Sequence, residues 1–450
     1  MHGPDQPACG YLVGAAVQVS LAGLRSGATA LASKLHGCAA MMPTKLLRSW
    51  FVLLPLSAAC ALPAENFPTS SGPVIVHGIH PAMDTSAMAP TRVLVHTPAG
   101  ELKLDTIVDP SGAVTVTVDA GDSVTALTSR RLVTPSLVTI AGVEPGDELT
   151  PRVSELPITN AGRVVVAVPE HAAADHLAVV LDRGCGDAGD AAAGDVAVVL
   201  AAPCAAPGRA LALAYGGGQL VGYAVSPVAQ LVDGARVAIP GPYVAPGRVG
   251  TRIVGTLDGA TTVRAGIQWR GVDRSVPLDQ QAADVGSGTA TLAAPELAFD
   301  HLRYVHAADG VRRGTFVIDG RSGPPGDETV DLGVDALPLF DDSSCGPELS
   351  WRIGSAADAD VVLVHGALAV GDATWPWKLF APPTAASMAI PTLPADLPQV
   401  PLVCTAYWLF DASSLAAGRD ARESIDLVAV PARLFDDQVR VRYSVLTAAR

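Results

Sequence analysis

The stretch from Thr91 to Thr128 constrains the fold more than any other stretch of the chain. It consists of short apolar segments separated by three turns that contain glycine or proline. Within it, Val114, Val116 and Val118 alternate strictly with polar residues. This period-two alternation is the signature of a half-buried strand. The stretch therefore predicts four consecutive β-strands.

The rest of the chain continues in the same way, with apolar segments divided by Gly, Pro and Asp clusters. No segment has a clear 3.6-residue periodicity with a cap at both ends. Short strands with a turn signal about every 8–12 residues are typical of β-sandwiches. We therefore predict an all-β protein of three or four tandem, immunoglobulin-like β-sandwich domains that follow an export signal. The predicted segments are an upstream or mis-started segment 1–40, a signal peptide 41–60, a tether 61–72, and β-sandwich blocks 73–150, 151–237, 238–338 and 339–450.

Two of these blocks resemble known modules. The phrase VLVHTPAGELKLDTIVDPSGAVTVTVDAGDSVTAL, from Val93 to Leu127, resembles the transthyretin-like, carboxypeptidase-regulatory-like β-sandwiches. The segment LSWRIGSAADADVVLVHG, from Leu349 to Gly366, resembles the start of a fibronectin-III-like sandwich. The first resemblance implies a fold and no activity, because such modules are usually non-catalytic appendages. Val143–Leu149, together with the segment from Cys185 to Cys204, resembles parts of large exported bacterial β-domain proteins of uncharacterised role, and we expect a lipoprotein of this kind.

An export signal is predicted after residue 40. Met41–Arg48 is short and basic, Trp50–Leu56 is apolar, and Ser57–Cys60 consists of small residues. The apolar segment is too short to span a bilayer as a helix. A start at Met41 would leave residues 1–40 outside the protein, and the alternative is a genuine extended leader.

Cys60 has two predicted fates. Its position after small residues resembles the bacterial lipobox, in which the cysteine is acylated, although that pattern has Leu where Ser57 stands here. The alternative is ordinary cleavage at Ala59-Cys60-Ala61. We therefore expect an outer-membrane or cell-surface lipoprotein that touches the membrane only through its lipid, or else a periplasmic or secreted protein.

Four cysteines follow the leader, namely Cys185, Cys204, Cys345 and Cys404. An even number in an exported chain predicts disulfides, and three pairings are open. We favour Cys185–Cys204 and Cys345–Cys404, because each pair falls within one predicted block. Zinc is the alternative, but the chain has no C-x-x-C spacing.

Composition and motifs argue against two function classes. The net charge of −14 and the absence of a basic stripe exclude nucleic acid as the expected partner. VVLVHG, at Val361–Gly366, resembles the oxyanion-loop strand of α/β-hydrolases. Such enzymes also need G-x-S-x-G and a later histidine, and neither follows here. We predict no enzyme, with a degenerate hydrolase using His365 as the alternative.

The acidic, glycine-rich stretch DRGCGDAGDAAAGD contains Asp182, Asp187, Asp190 and Asp195. Carboxylates on loops are ligands that calcium prefers, but the D-x-[DN]-x-[DN]-G loop motif is absent. We therefore expect a solvated hairpin loop and no cofactor, with calcium bound to these four residues as the alternative.

Trp375 and Trp377 flank a proline and are expected in a loop. An exposed aromatic ring could stack on a sugar, whereas a buried one would belong to the core. The predicted function is that of a non-enzymatic exported cell-envelope protein with a structural, adhesive or interaction role. The alternative is a polysaccharide-binding module of the cell surface, so the expected partners are a surface polysaccharide or an envelope protein.

Overall fold

The computed structural model describes residues 71–78, 90–109, 112–128, 134–149, 160–182, 185–201, 207–270, 275–354, 359–411 and 440–447. In these stretches the chain forms 30 β-strands and one short helix, α1 (Leu332–Asp335), which confirms the predicted all-β fold. The predicted upstream segment, the signal peptide and most of the tether lie outside them. Over the same stretches, no helix has the length and apolar character needed to cross a membrane.

The first sandwich consists of two sheets packed face to face. Its strands are β1 (Ser71–His77), β2 (Thr91–His96), β3 (Leu102–Val108), β4 (Ala113–Asp119), β5 (Asp122–Thr128), β6 (Ser136–Val143) and β7 (Glu148–Leu149). One sheet has the order β4-β1-β7, and the other begins β3-β2-β5-β6. Val76 and Val118 of one sheet pack against Val95 of the other. On β4 the intervening threonines face solvent, as the period-two pattern predicts.

The second sandwich repeats this pairing. Its strands are β8 (Asn160–Val168), β9 (His176–Leu181), β10 (Asp187–Ala191), β11 (Gly194–Ala201), β12 (Pro207–Gly208), β13 (Ala210–Gly216), β14 (Gln219–Val225), β15 (Ala229–Gln230) and β16 (Arg236–Ala238). The sheet orders are β11-β8-β16 and β10-β9-β13-β14, with β12 and β15 as a separate pair. As in the first sandwich, the first strand pairs antiparallel with one neighbour and parallel with the other.

The third sandwich has the same arrangement again. Its strands are β17 (Gly247–Gly255), β18 (Thr262–Arg270), β19 (Ser275–Ala283), β20 (Gly286–Ala294), β21 (Phe299–Ala308), β22 (Arg313–Gly323) and β23 (Glu328–Asp331). One sheet has the order β20-β17-β23, and the other contains β19-β18-β21-β22. Helix α1 follows β23 directly, and the carboxylate of Asp331 caps it by accepting the Gly333 N–H at 3.0 Å.

The fourth sandwich differs in its smaller sheet. Its strands are β24 (Phe340–Cys345), β25 (Glu348–Ile353), β26 (Val361–Val370), β27 (Ala373–Ala381), β28 (Ser387–Ala389), β29 (Leu402–Asp411) and β30 (Arg440–Thr447). The smaller sheet, β24-β25-β28, is entirely antiparallel. The larger one, β30-β29-β26-β27, keeps the pairing of the other three sandwiches.

Three of the larger sheets continue into one another. β6 pairs parallel with β27, and β22 pairs antiparallel with β30. The result is one 12-stranded sheet in the order β19-β18-β21-β22-β30-β29-β26-β27-β6-β5-β2-β3, with the fourth sandwich in the middle. Each join satisfies backbone N–H and C=O groups that an open sheet edge would leave unpaired.

The second sandwich is attached by its sheet face instead. Leu211 and Leu213 of β13 share one apolar cluster with Trp269 of the third sandwich. The hydroxyl of Tyr215 donates to the carbonyl of Pro277 at 2.6 Å. β13 is therefore buried on both faces, which explains why its sequence, ALALAYG, is a continuous apolar run.

Two strands cross the borders of the predicted blocks. β1 begins at Ser71, inside the predicted tether, and β16 extends across the predicted border after residue 237. The division of the chain into separate domains at these borders remains a prediction, since backbone pairing crosses from one strand group to another at both joins.

Candidate functional site

A buried tryptophan, several arginine–carboxylate groups and a row of aromatic rings lie at or beside the two places where the larger sheets join. The first join is the pairing of β6 with β27, and the second join is the pairing of β22 with β30. At the first join, Trp377 of β27 is opposite Leu137 of β6. Its indole N–H donates to the hydroxyl of Thr139 at 2.8 Å, and that hydroxyl also bonds to Thr125 at 2.8 Å. All of these groups are buried, so the core of the fourth sandwich extends onto the outer face of the first.

An arginine fork reinforces this join at the surface. Arg92 of β2 donates from Nε to Asp105 Oδ1 at 2.8 Å and from Nη1 to Asp396 Oδ2 at 2.6 Å. The two carboxylates hold the pKa of Arg92 above its usual value, and Arg92 holds the pKa of Asp396 below its own. Paired forks of this kind fix orientation as well as distance.

Backbone contacts complete the first join. The N–H of Thr392 donates to the carbonyl of Gly100 at 2.8 Å, and the ring of His96 bonds to the carbonyl of Thr392 at 3.1 Å. Gly100 has φ of 83°, and a Cβ there would lie 2.7 Å from the carbonyl oxygen of Ile390. The turn therefore needs glycine both for its conformation and for the close approach of residues 390–392.

Charged groups dominate the second join, between β22 and β30. Arg440 binds both carboxylate oxygens of Asp319, at 2.8 Å from Nε and 3.0 Å from Nη2. Its Nη1 reaches Asp335 of α1 at 2.6 Å. The hydrogen bonds to Asp319 raise the pKa of Arg440, and these bonds connect the third and fourth sandwiches.

A buried ion pair lies beside the second join. Arg303 Nε is 3.0 Å from Glu328 Oε1, and both side chains are almost completely buried. Arg303 also donates to the carbonyl of Gly250 at 3.0 Å and to the carbonyl of Gly326 and the hydroxyl of Thr251. Burial raises the pKa of Glu328 even though Arg303 opposes the shift. These contacts tie β21 to the central strand β17 and to the edge strand β23 of the smaller sheet of the third sandwich.

An aromatic row crosses the second join on the opposite face of the sheet. Ring centroids are separated by 4.1 Å between His306 and Phe316, 4.7 Å between Phe316 and Tyr443, 5.4 Å between Tyr443 and Trp408, and 5.9 Å between Trp408 and His365. These residues come from five neighbouring strands of two sandwiches. Stacked and tilted rings add about 0.5–1.5 kcal/mol per pair beyond burial, so the row supports the join.

His365 is the histidine of the predicted hydrolase alternative. VVLVHG forms the first residues of β26 in the centre of the 12-stranded sheet. The Nε2 of His365 is buried without a hydrogen-bond partner, and no serine or carboxylate in the described stretches is hydrogen-bonded to the ring. Burial, with a smaller contribution from Lys378, lowers its pKa to about 4.

This lowered pKa predicts a specific acid sensitivity. Since His365 binds a proton less readily in the folded chain than in the unfolded chain, the stability contributed by its neutral form is lost as the pH falls from 6.5 to about 4. We expect His365→Phe to lose less stability than the wild type over this interval in urea unfolding. Parallel pH profiles for the two proteins would contradict the prediction.

The predicted cysteine pairs lie only in part within the described stretches. Cys345 of β24 and Cys404 of β29 form a disulfide with a Cα–Cα distance of 5.9 Å, and it joins the two sheets of the fourth sandwich. Cys185 is disulfide-bonded as well. Cys204 and Cys60 lie outside the described stretches, so the Cys185–Cys204 pairing and the acylation of Cys60 remain predictions.

Removing the Cys345–Cys404 bond should weaken the fourth sandwich. The bond closes a loop of 59 residues, and the loss of such a constraint typically costs about 2–4 kcal/mol. We expect Cys345→Ala with Cys404→Ala to lower the free energy of unfolding by this amount in urea. A wild-type midpoint in the double variant would show that the loop is constrained by other contacts.

Two of the four predicted calcium ligands have described side chains, and each of these two binds an arginine. Asp182 binds Arg209 Nε at 3.0 Å, and Asp195 binds Arg236 Nη2 at 2.7 Å. Asp187 lies in β10 with Asp190, and of these two residues only the backbone is described. No described group of three or more His, Cys, Asp or Glu is arranged for a metal ion. Calcium at these residues stays an untested alternative.

The two predicted sugar-binding tryptophans belong to a strand and not to a loop, because β27 runs through both of them. Trp377 faces the core, so its ring cannot stack on a sugar. Trp375 is half-buried and packs against the same core. Of these two tryptophans, Trp375 therefore remains the candidate for stacking on a sugar ring in the polysaccharide-binding alternative.

Sequence reasoning missed the charged residues of the joins. Arg92 and Arg303 lie within strands and Arg440 begins one, and each of the three is followed by an apolar or aromatic residue. An arginine in such a position has to find a carboxylate if it is buried. That pattern was the available signal, but the sequence did not indicate which carboxylate each arginine would bind.

No protein-family model matches the sequence, and the search of curated proteins found no match. Function is therefore inferred from the geometry of the joins and from the sequence.

Proposed function

We propose that the protein is a non-enzymatic component of the bacterial cell envelope that acts as a rigid scaffold for interactions. The observation that carries this proposal is the continuous 12-stranded sheet, which fixes three sandwiches relative to one another. Tandem domains connected only by linkers move independently by default, whereas large hydrophobic interfaces suppress such motion. A fixed array of sandwiches suits a structural or adhesive role.

Export is the second element of the proposal. The predicted signal peptide and Cys60 supply its sequence basis, and the Cys345–Cys404 bond supports it, because structural disulfides persist in oxidising compartments. We propose a lipid anchor at Cys60, with an envelope protein or a surface polysaccharide as the partner. The first block retains its proposed relationship to the carboxypeptidase-regulatory-like modules, for which the phrase between Val93 and Leu127 is the support.

Acyl-chain labelling in a bacterial host tests the anchor. We expect label on the wild-type protein and none on Cys60→Ala, with both proteins exported. A mature N-terminus near Leu62 and no label on either protein would replace the lipoprotein with a soluble exported protein.

Retention on isolated cell envelopes tests the scaffold role. The purified protein is incubated with envelopes from the expression host, and the bound fraction is measured by sedimentation. We expect retention by the wild type and by Trp375→Ala, whereas loss in Trp375→Ala alone would favour the polysaccharide-binding alternative. Hydrolysis of simple esters or glycosides that His365→Ala abolishes would contradict a non-enzymatic function.

A further inference from the structure

The larger sheet of the fourth sandwich is buried on both faces. Tyr407 and Leu409 of β29 belong to the core between the two sheets of that sandwich. Trp408 and Phe410 point the other way, since side chains alternate along a strand, and they are only 6% and 8% exposed. We call the side that carries these two rings the outer face. On β26, all four residues of Val361–Val364 are buried, which requires cover on both faces of the sheet.

The outer face carries one continuous apolar cluster. The cluster extends over seven neighbouring strands of the 12-stranded sheet, from β21 to β6, and its largest members are Phe380, Trp408, Phe410 and Tyr443. Every described member belongs to this one sheet. The cores of the first, second and fourth sandwiches each combine residues of two facing sheets instead. The described stretches therefore supply only one layer of a core at the outer face.

The second layer belongs to the same chain. Within a single chain, Leu363 is 0% exposed and Phe380 is 4% exposed, although both lie on the outer face. Rings on a solvated sheet face would expose a large part of their surface. The ring atoms Trp408 Nε1 and His365 Nε2 are buried as well, and burial lowers the pKa of His306 and of His365 to about 4. The layer over the outer face therefore excludes water.

The connection between β29 and β30 has its two ends on the outer face. It leaves β29 just after Phe410 and enters β30 just before Val441, and both of these residues pack in the outer cluster. The two strands are antiparallel neighbours, which a loop of about 2–5 residues can join. Here the connection has 28 residues, 412–439. That length can reach roughly 90–100 Å, whereas the seven strands span about 30 Å, so it can cross the face and return.

The sequence of this connection, ASSLAAGRDARESIDLVAVPARLFDDQV, suits an apolar layer. Its apolar residues are grouped at Leu415–Ala417, Ile425–Val430 and Leu434–Phe435, and the charged residues lie mostly between these groups. The linker 150–159 is shorter and connects the first sandwich to the second. Residues 1–70 precede β1 and include the predicted signal peptide. Of these three stretches, 412–439 alone begins and ends on the outer face.

We propose that the outer face is an intramolecular docking surface and that its occupant is the chain's own connection, residues 412–439. The larger sheet of the fourth sandwich then has a core on each side, and the aromatic row is a packing surface and not a platform for sugar rings. The apolar groups of the connection lie against the sheet, and its charged residues remain in water. The proposal does not depend on export or on the scaffold function.

Acrylamide quenching of Trp408 fluorescence tests the proposal in the full chain. The signal of Trp408 is the difference between each protein and the same protein with Trp408→Phe. In the wild type we expect the quenching constant of a buried indole. In a variant that has a short Gly-Asn-Gly turn in place of residues 412–439, we expect the constant to rise to that of a solvent-exposed indole. A synthetic peptide with the sequence of 412–439 should lower it again when it is added to this variant.

Two matched triple variants keep the test decisive if the shortened chain does not fold. The apolar variant carries Ile425→Ala, Leu427→Ala and Val430→Ala, and the charged control carries Asp420→Ala, Arg422→Ala and Glu423→Ala. We expect the apolar variant to raise the equilibrium constant of unfolding at least about thirtyfold, as truncation of buried aliphatic side chains does, and to increase the quenching of Trp408. The control should behave like the wild type in both measurements.

Two results would overturn the proposal. One is a Trp408 that is as well protected in the shortened chain as in the wild type, which would assign the cover to residues 1–70 or 150–159. The other is equal behaviour of the two triple variants, which would show that the apolar groups of 412–439 do not lie against the sheet.

Discussion

Trp377→Ala should lower the free energy of unfolding by about 3–5 kcal/mol, the usual cost of deleting a buried aromatic side chain. Trp377 is fully buried between the fourth sandwich and Leu94 and Leu137 of the first. The substitution also removes the donor to Thr139, which is buried itself. The loss should therefore be visible both in urea unfolding and in faster proteolysis near β6.

Two variants separate the contributions to this effect. Trp377→Phe keeps most of the ring volume and loses the N–H donor, so we expect it to cost less than Trp377→Ala. Trp375→Ala on the same strand removes a half-buried ring and should also cost less. Equal destabilisation by Trp375→Ala and Trp377→Ala would contradict the account of Trp377 as a fully buried residue that stabilises the first join.

Glu328→Gln should lower the free energy of unfolding by about 3–5 kcal/mol, because it leaves the buried guanidinium of Arg303 without its counter-charge. The change keeps the shape of the side chain, so the loss reports charge and not a cavity. Urea unfolding at neutral pH measures it.

A double-mutant cycle with Arg303→Met and Glu328→Leu tests the same pair. Replacing both partners by apolar groups should recover much of the loss, though not all, since carbonyl oxygens that Arg303 binds would lose their donor. The exposed pair Arg236–Asp195, with side chains 64% and 47% exposed, is the matched control. Breaking it should cost less than about 1 kcal/mol. A similar cost at both pairs would contradict the account of the buried one.

Local features of the fold could be predicted from the sequence because they depend on local chemistry. The alternation of Val116 and Val118 with threonines correctly indicated which residues of β4 are buried and which face solvent. The stretch before Val400 is rich in proline, which lacks the N–H that a central strand needs, and the short β28 within it is at the edge of its sheet. Each of these features follows from side-chain periodicity or from the missing N–H of proline.

The joins could not be predicted, because they depend on residues far apart in the chain. The pairing of β6 with β27 brings Leu137 beside Trp377, and nothing in the local sequence of either strand selects the other. Because Trp377 follows Pro376, it was expected in a loop. In the structure it lies in β27, which pairs in parallel with β6 of the first sandwich. For the same reason the charge partners of Arg92 and Arg440 became clear only in three dimensions.

Residue-resolved hydrogen exchange tests most directly whether the three sheets are continuous. The decisive amides are those of residues 137–140 and 377–380 that point across the first join, and those of β22 and β30 that point across the second. Continuous sheets predict protection of these amides comparable to that of the interior strands β26 and β29. Exchange at the rate of unpaired amides, with β26 and β29 still protected, would contradict the single 12-stranded sheet.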